Sequence, residues 1–274
     1  MKQSPLIKPW MAGEFIGTLL LVFFGCGSVA AAVTTGSATG VFQVALVWGL
    51  GVATAVYLTG SLSGAHLNPA VSLALAVWSD FPKSRLLPYM LLQLAGAFSA
   101  AALLYLIFGP AIHVYEQTHG ILRGAPGSEA SAMVFGEYFP NPGGHALADT
   151  PQILPHANAF ATEFIATGIL VLVILGSTDS CNNSRPQILT ALIIGLTVTM
   201  LIILFGPLTM ACLNPARDLG PRLFSAWAGW GSIPFTANGW GWLTVYIIAP
   251  LLGGLAGGGL YRLVLAPGYA GARS

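Results

Sequence analysis

Between residues 15 and 79 the chain carries no Asp, Glu, Lys or Arg, an uncharged run of 65 residues. Further uncharged runs cover 86–115, 186–216 and 223–261. A hydrocarbon core is crossed by ~20 consecutive apolar helical residues, so runs of this length read as membrane spans. Charged residues make up 7% of the chain, against roughly 25% in a soluble domain. That excludes an ordinary water-soluble globule and a disordered chain. Ten Lys+Arg nearly balance nine Asp+Glu, so there is no basic face to neutralise phosphates and no nucleic-acid partner is expected. The expected surroundings are a lipid bilayer.

Hydropathy outlines six spans, about 10–33, 41–60, 86–108, 158–177, 187–206 and 240–265. The first run is well beyond the ~7–15 apolar residues of a cleavable signal core. Two shorter apolar stretches, 67–78 and 213–228, cannot cross alone at ~1.5 Å per residue. The segment 109–157 is rich in Gly and Pro and carries Glu116, Arg123, Glu129, Glu137 and Asp149, so it reads as a loop outside the bilayer. Cytoplasmic segments carry an excess of Lys and Arg. With both termini inside, Lys2, Lys8, Lys83, Arg85, Arg185, Arg262 and Arg273 lie on the inner side, and Arg123, Arg217 and Arg222 on the outer.

The chain repeats itself. Glu14-Phe15-Ile16 with Thr18 recurs as Glu163-Phe164-Ile165 with Thr167, and Leu67-Asn68-Pro69-Ala70 recurs as Leu213-Asn214-Pro215-Ala216. The offsets, 149 and 146, agree across separate motifs. Each half holds three spans and one half-span. Three is odd, so the second half enters from the opposite face, an inverted repeat whose pseudo-two-fold axis lies in the membrane plane. The fold expected is an all-α membrane protein with six transmembrane helices plus two re-entrant half-helices in an inverted 3+3 repeat. It forms a single domain over 1–274, with repeats at about 10–108 and 158–265 joined by the outer loop 109–157.

Asn is a strong N-cap and Pro is favoured at the first helical position, so Asn68-Pro69 and Asn214-Pro215 each mark a helix start. The Asn carbonyl oxygen can accept an N–H of its own helix, which leaves the amide NH₂ to donate into a lumen. Two helix N-termini meeting at mid-membrane oppose cations, each with roughly half a positive charge. The residues before each Asn, Gly64-Ala65-His66 and Met210-Ala211-Cys212, must be non-helical. Such backbone survives at membrane depth only where it is buried or lines a cavity. Their carbonyls are candidate acceptors along a pore wall, and donors plus acceptors suit water or a polyol. Asn141-Pro142, among Gly and Pro in the long loop, is expected to be plain loop.

The stretches Ser63-Gly64-Ala65-His66-Leu67-Asn68-Pro69-Ala70-Val71 and Asn214-Pro215-Ala216-Arg217-Asp218 resemble the motifs of the major intrinsic protein family, the aquaporins and glycerol facilitators. The resemblance covers about residues 10–265. It implies an aquaporin-like fold, one pore per protomer, a homotetramer and a multi-pass place in a plasma membrane. The short termini point to a bacterial inner membrane. By alignment to the family motifs the constriction falls at Trp48, Ile202, Ala211 and Arg217. Water-selective members tend to carry Phe and His at the first two positions, so a wider, more apolar ring is expected here. Asp218, Arg222, Pro250-Leu251 and Tyr138-Phe139-Pro140-Asn141-Pro142 look like the glycerol-facilitator branch. That branch usually has Gly at the position of Ile202 and an aromatic at that of Ala211. Here bulk is gained at one wall and lost at the other, a set more like the nodulin-like plant channels.

The function expected is a passive channel for glycerol and related small uncharged solutes, with water also passing. Favoured solutes could instead be water, urea or metalloid acids such as arsenite. Charged residues inside spans are functional by default, so Glu14 and Glu163 open a rival reading as the relay of a proton-coupled secondary transporter. Their symmetry favours a structural role, with each carboxylate holding one irregular loop. An ion channel is a further rival. His66 either lines the pore or braces its loop. Gly96, Gly253-Gly254 and Gly257-Gly258-Gly259 suit close helix packing. Cys26, Cys181 and Cys212 have no metal-ligand spacing, and no nucleophile–base pair is present, so neither cofactor, metal nor enzymatic activity is expected.

Overall fold

The computed structural model describes residues 8–37, 40–143 and 154–271. Lys2, Arg273 and Asp149 of the sequence reading lie outside the described residues. Among the described residues there is no strand. Six helices are long and apolar enough to cross a membrane. They are α1 (Pro9–Thr35), α2 (Val41–Ser63), α4 (Leu86–Thr118), α6 (His156–Thr178), α7 (Thr190–Thr209) and a last span, Gly241–Tyr269. Two short helices, α3 (Pro69–Trp78) and α8 (Pro215–Ser225), occupy the expected half-spans. A single turn, α5 (Glu129–Ala132), lies in the long connection.

The packing follows the repeat. Helix α1 packs on α2 and α4, and α6 packs on α7 and the last span. A methyl group on Gly96 would come within 2.3 Å of the Phe15 carbonyl oxygen, and one on Gly253 within 2.1 Å of the Phe164 carbonyl oxygen. Phe15 and Phe164 are repeat mates, so the same backbone-to-backbone approach is built twice. Helices α2 and α7 meet at Gly49 and Gly195, themselves 146 residues apart. Each would place a Cβ within 2.4 Å or less of the other's carbonyl oxygen. Small residues at such crossings let membrane helices close on one another without a hydrophobic driving force.

One expectation needs correction. The third span does not stop at 108, because α4 runs on to Thr118. Gly109-Pro110 reads as a breaker, yet Pro110 is accommodated inside the helix. Ile112 beyond it is fully buried, and Glu116 is held by Arg123 at 2.8 Å. Part of the 109–157 connection packs into the body of the protein. Residues 131–139 are all buried, folded into the end of the bundle opposite the start of α1, here called the loop face; the other end is the terminal face.

Candidate functional site

Each half-helix begins as its cap residues dictate. The Asn68 carbonyl oxygen accepts the Ala70 N–H at 2.8 Å, and Asn214 accepts Ala216 and Arg217 at 3.0 and 3.3 Å. Pro69 and Pro215 take the first helical position. The two amide groups also tie the halves together. Asn68 Nδ2 donates to the Leu213 carbonyl at 2.7 Å, and Asn214 Nδ2 to the Leu67 carbonyl at 2.8 Å. One proton of each NH₂ is therefore spent on the opposite loop, which leaves the other to face the lumen. The expectation of a wholly free NH₂ is corrected to that extent.

The loops before the half-helices repeat each other in backbone as well as sequence. Gly64, Ala65 and Leu67 have φ of 81°, 47° and 53°, and their mates Met210, Ala211 and Leu213 have 64°, 57° and 56°. Five of these six are not glycine, and the left-handed region costs an L-residue about 1–2 kcal/mol. Buried carboxylates offset that cost. Glu14 accepts the His66 and Leu67 N–H groups at 3.0 and 2.9 Å, the Ser63 hydroxyl at 2.6 Å and the Gln93 amide at 2.7 Å. Glu163 accepts the Cys212 and Leu213 N–H groups, both at 2.9 Å, and the Thr209 hydroxyl at 2.6 Å. The hydroxyls act in both directions: Ser63 accepts the Ala65 N–H and Thr209 the Ala211 N–H, at 3.0 and 3.3 Å. Of Ser63, Thr209 and Gln93, the sequence reading named only Ser63, as the first residue of a motif stretch. The first two stand at mate positions, a signal the repeat already carried.

One cavity of ≈ 370 Å³ passes both Asn side chains. It runs from Thr178 and Thr190, at the terminal face, to Trp48 and Arg217 toward the loop face. Its polar wall is formed by Gly64, Ala65, His66, Asn68, Ala211, Cys212 and Asn214. Leu21, Val52, Val56, Leu170, Ile194, Val198 and Ile202 make much of the apolar remainder. Of the expected pore residues Met210 alone does not line the cavity. Its Sδ lies 3.3 Å from the Tyr138 N–H, so the side chain is turned to the loop packed behind it. Among the described residues nothing donates a hydrogen bond to the carbonyls of Gly64, Ala65, His66, Ala211 or Cys212. His66 answers to both of its readings. It lines the cavity, and its Nδ1 sits 3.1 Å from the Ser72 hydroxyl while the ring packs on Phe81 and Tyr89. Glu14 and Glu163 stand behind the loops, not in the cavity wall.

At the loop-face end Trp48, Ile202, Ala211 and Arg217 converge on the cavity. The guanidinium carbon of Arg217 lies 4.3 Å from the Trp48 ring centroid, a cation–π distance. Its Nη1 donates to the Phe135 carbonyl at 3.3 Å, and its Nη2 lies 2.6 Å from Glu137 Oε1. Trp48 is admitted because residue 25 is glycine, where a Cβ would lie 2.2 Å from the indole. Asp218 and Arg222 anchor the loop that supplies Glu137. Asp218 takes two Arg222 donors at 2.7 and 2.8 Å and the Glu137 N–H at 2.8 Å, while Arg222 donates to the Glu137 and Pro234 carbonyls. Asn141 is loop, as expected, and its side chain is pinned to the Gly206 carbonyl at 2.9 Å. Phe135 and Glu137 were missed by sequence. The one available signal was a charge amid the aromatic run Phe135-Gly136-Glu137-Tyr138-Phe139.

The chain matches the family model described as "Major intrinsic protein" over residues 1–261. It is 40% identical over 269 residues to the glycerol uptake facilitator protein of Escherichia coli (strain K12), covering 97% of this chain and 91% of that one. It is 38% identical to a propanediol uptake facilitator of Citrobacter freundii, covering 94% and 93%. The X-ray structure of the aquaglyceroporin from Plasmodium falciparum superposes with a TM-score of 0.81 at 30% identity, over 96% of this chain and 98% of that chain. These matches span both halves and both half-helices, and the chain belongs to the major intrinsic protein family.

Proposed function

We propose that the chain is a passive channel for glycerol and related small uncharged solutes, passing water as well. The observation that carries this reading is the cavity past Asn68 and Asn214, with unpaired carbonyls on one wall and aliphatic side chains on the other. A polyol presents hydroxyls along one edge and carbon along the other, and matches both walls at once. Trp48, Ile202, Ala211 and Arg217 act as the selectivity filter. Trp48 and Ile202 face the carbon backbone, and Arg217 donates to a hydroxyl. The half-helix dipoles oppose cations at the centre. The names of the glycerol and propanediol facilitators among its relatives agree with this choice of solute.

The protomers assemble as a homotetramer in a bacterial inner membrane with both termini in the cytoplasm. Arg217 and Arg222 are buried, so they leave the surface count. Among the described residues the terminal face then carries Lys8, Lys83, Arg85, Arg185 and Arg262, and the loop face Arg123. Glu14 and Glu163 hold loops, since their oxygens are occupied by backbone N–H, hydroxyl and amide donors. That supports the structural reading over the proton relay. The test is swelling of proteoliposomes in a glycerol gradient. The expected flux is unchanged by a proton gradient and carries no current. Flux that collapses when the proton gradient is dissipated would overturn the passive reading.

A further inference from the structure

Arg217 is the Lys or Arg side chain that lines the cavity among the described residues, and a loop distant in sequence sets a carboxylate against it. Glu137 Oε1 lies 2.6 Å from Arg217 Nη2, with the two side chains 0% and 5% exposed. Glu137 does not itself line the cavity. It also differs from Glu14 and Glu163: among the described residues no backbone N–H donates to its carboxylate, whereas two donate to each of those. Its own backbone is fixed at both ends by α8. The N–H donates to Asp218 at 2.8 Å, and the carbonyl accepts from Arg222. The local group of Arg217, Arg222, Glu137 and Asp218 therefore sums to zero charge.

We propose that Glu137 is a charge-compensating, positioning residue that acts through Arg217 to set the specificity of the constriction. This deepens the channel reading and rests on it. A lone guanidinium in a low-dielectric wall projects a field that falls slowly with distance and draws anions in. Paired at 2.6 Å, it becomes a dipole whose field fades within the width of the pore. The guanidinium keeps hydrogen-bond donors for a neutral solute, because Phe135 accepts from Nη1 and the ion pair with Glu137 lies at Nη2 alone. Exclusion of cations then falls to the N-termini of α3 and α8, and exclusion of anions to Glu137.

The experiment compares nitrate and glycerol entry into proteoliposomes holding the full chain, with potassium and valinomycin balancing the charge. Glu137→Gln keeps an acceptor for the guanidinium and removes the charge. Its nitrate flux is expected to rise about tenfold over the unsubstituted protein, with glycerol flux within about twofold. Glu137→Asp keeps the charge and stays nitrate-tight, as does the neutral pair Glu137→Gln with Arg217→Gln. Glu137→Ser gives the same reading as Glu137→Gln if the amide disturbs assembly. Nitrate flux in Glu137→Gln and Glu137→Ser equal to that of the parent overturns the proposal. So does an equal leak in Glu137→Asp or in the double variant, since a loosened loop and not a bare charge would then be the cause. Failure of the parent to pass glycerol counts against the channel reading instead, and leaves the nitrate comparison readable.

Discussion

Val71 in α3 and Arg217 in α8 occupy the same place in the two halves, 146 residues apart, and so do Ser72 and Asp218. The scaffolds around them share the same parts: an Asn cap, three left-handed residues, a hydroxyl at the loop entry and a carboxylate behind it. Past the cap they diverge. In the first half Ser72 joins a network with His66 and Gln93, at 3.1 and 2.9 Å, that stays local. In the second half Asp218 and Arg222 reach out and pin the long loop, which returns Glu137 to Arg217. One duplicated frame thus carries a local polar network on one side and, on the other, an ion-pair network that reaches the long loop. Where the halves agree, the shared residues brace the loops beside the cavity. Where they differ, the proposed selectivity filter lies on the side of Arg217.

The largest effect should come from the shared frame, and it should be symmetric. Glu14→Ala and Glu163→Ala each strip two backbone N–H groups of their acceptor at a depth where water cannot replace it. Each orphaned group costs ~1–3 kcal/mol, on top of loops whose left-handed residues already lie uphill. Both variants should lose most folded protein in detergent, read by thermal unfolding and size exclusion, and with it glycerol-driven swelling. A Glu163→Ala variant that melts like the parent would break the view that the carboxylates are braces.

The next effect should be one-sided. Arg217→Val copies the mate residue into the filter. With Glu137→Gln added, so that no carboxylate is left buried alone, the double variant should pass polyols larger than glycerol at several-fold the parent rate. Val71→Ala, at the mate position, should leave that solute cut-off unchanged. Swelling across a ladder of three- to six-carbon polyols measures both. An equal change at the two positions would show that discrimination is not confined to the loop-face end.

This asymmetry also explains what was legible beforehand. The repeat made the frame readable, because Asn68 and Asn214, or Glu14 and Glu163, identify each other by spacing alone. Positions that follow from local chemistry came through in the same way: caps, proline at the helix start, non-helical backbone ahead of it. Residues whose partners lie far off in the chain did not. Glu137 reads as one more charge in a polar loop until Asp218 and Arg222, more than 80 residues later, fold that loop inward. Gly109-Pro110 reads as the end of α4 on local grounds, yet the helix carries Pro110 inside it and runs on to Thr118. Met210 stood in the right register for the pore wall, but Tyr138, again from the long loop, turns its side chain away.

Gly25 sharpens the comparison from outside the repeat motifs. It makes room for Trp48, whose ring would lie 2.2 Å from an added Cβ. Gly25→Ala must push the indole toward the cavity or off the Arg217 guanidinium, an overpacking strain of ~1–3 kcal/mol. Glycerol flux should fall by more than water flux, measured on the same vesicles by stopped-flow light scattering. An equal loss of both would mean that Trp48 is a packing residue and not part of the filter wall.

The smallest effect separates the two ends of the pore directly. Ala65 and Ala211 are mates, both left-handed at φ 47° and 57°, and both line the cavity. A phenylalanine at either place meets the same backbone penalty as the alanine it replaces, so the steric consequence in the lumen can be compared cleanly. At 211 the ring would share its cross-section with Trp48 and Arg217. At 65 it would face the terminal-face end of the cavity, where no guanidinium stands opposite. Ala211→Phe should therefore lower the glycerol-to-water ratio a few-fold, a change of about 1 kcal/mol in relative barrier, and Ala65→Phe should move it less. If the two substitutions shift the ratio equally, the narrowest point does not sit at Arg217, and the charge pairing behind that residue would govern a passage wider than the solute it meets.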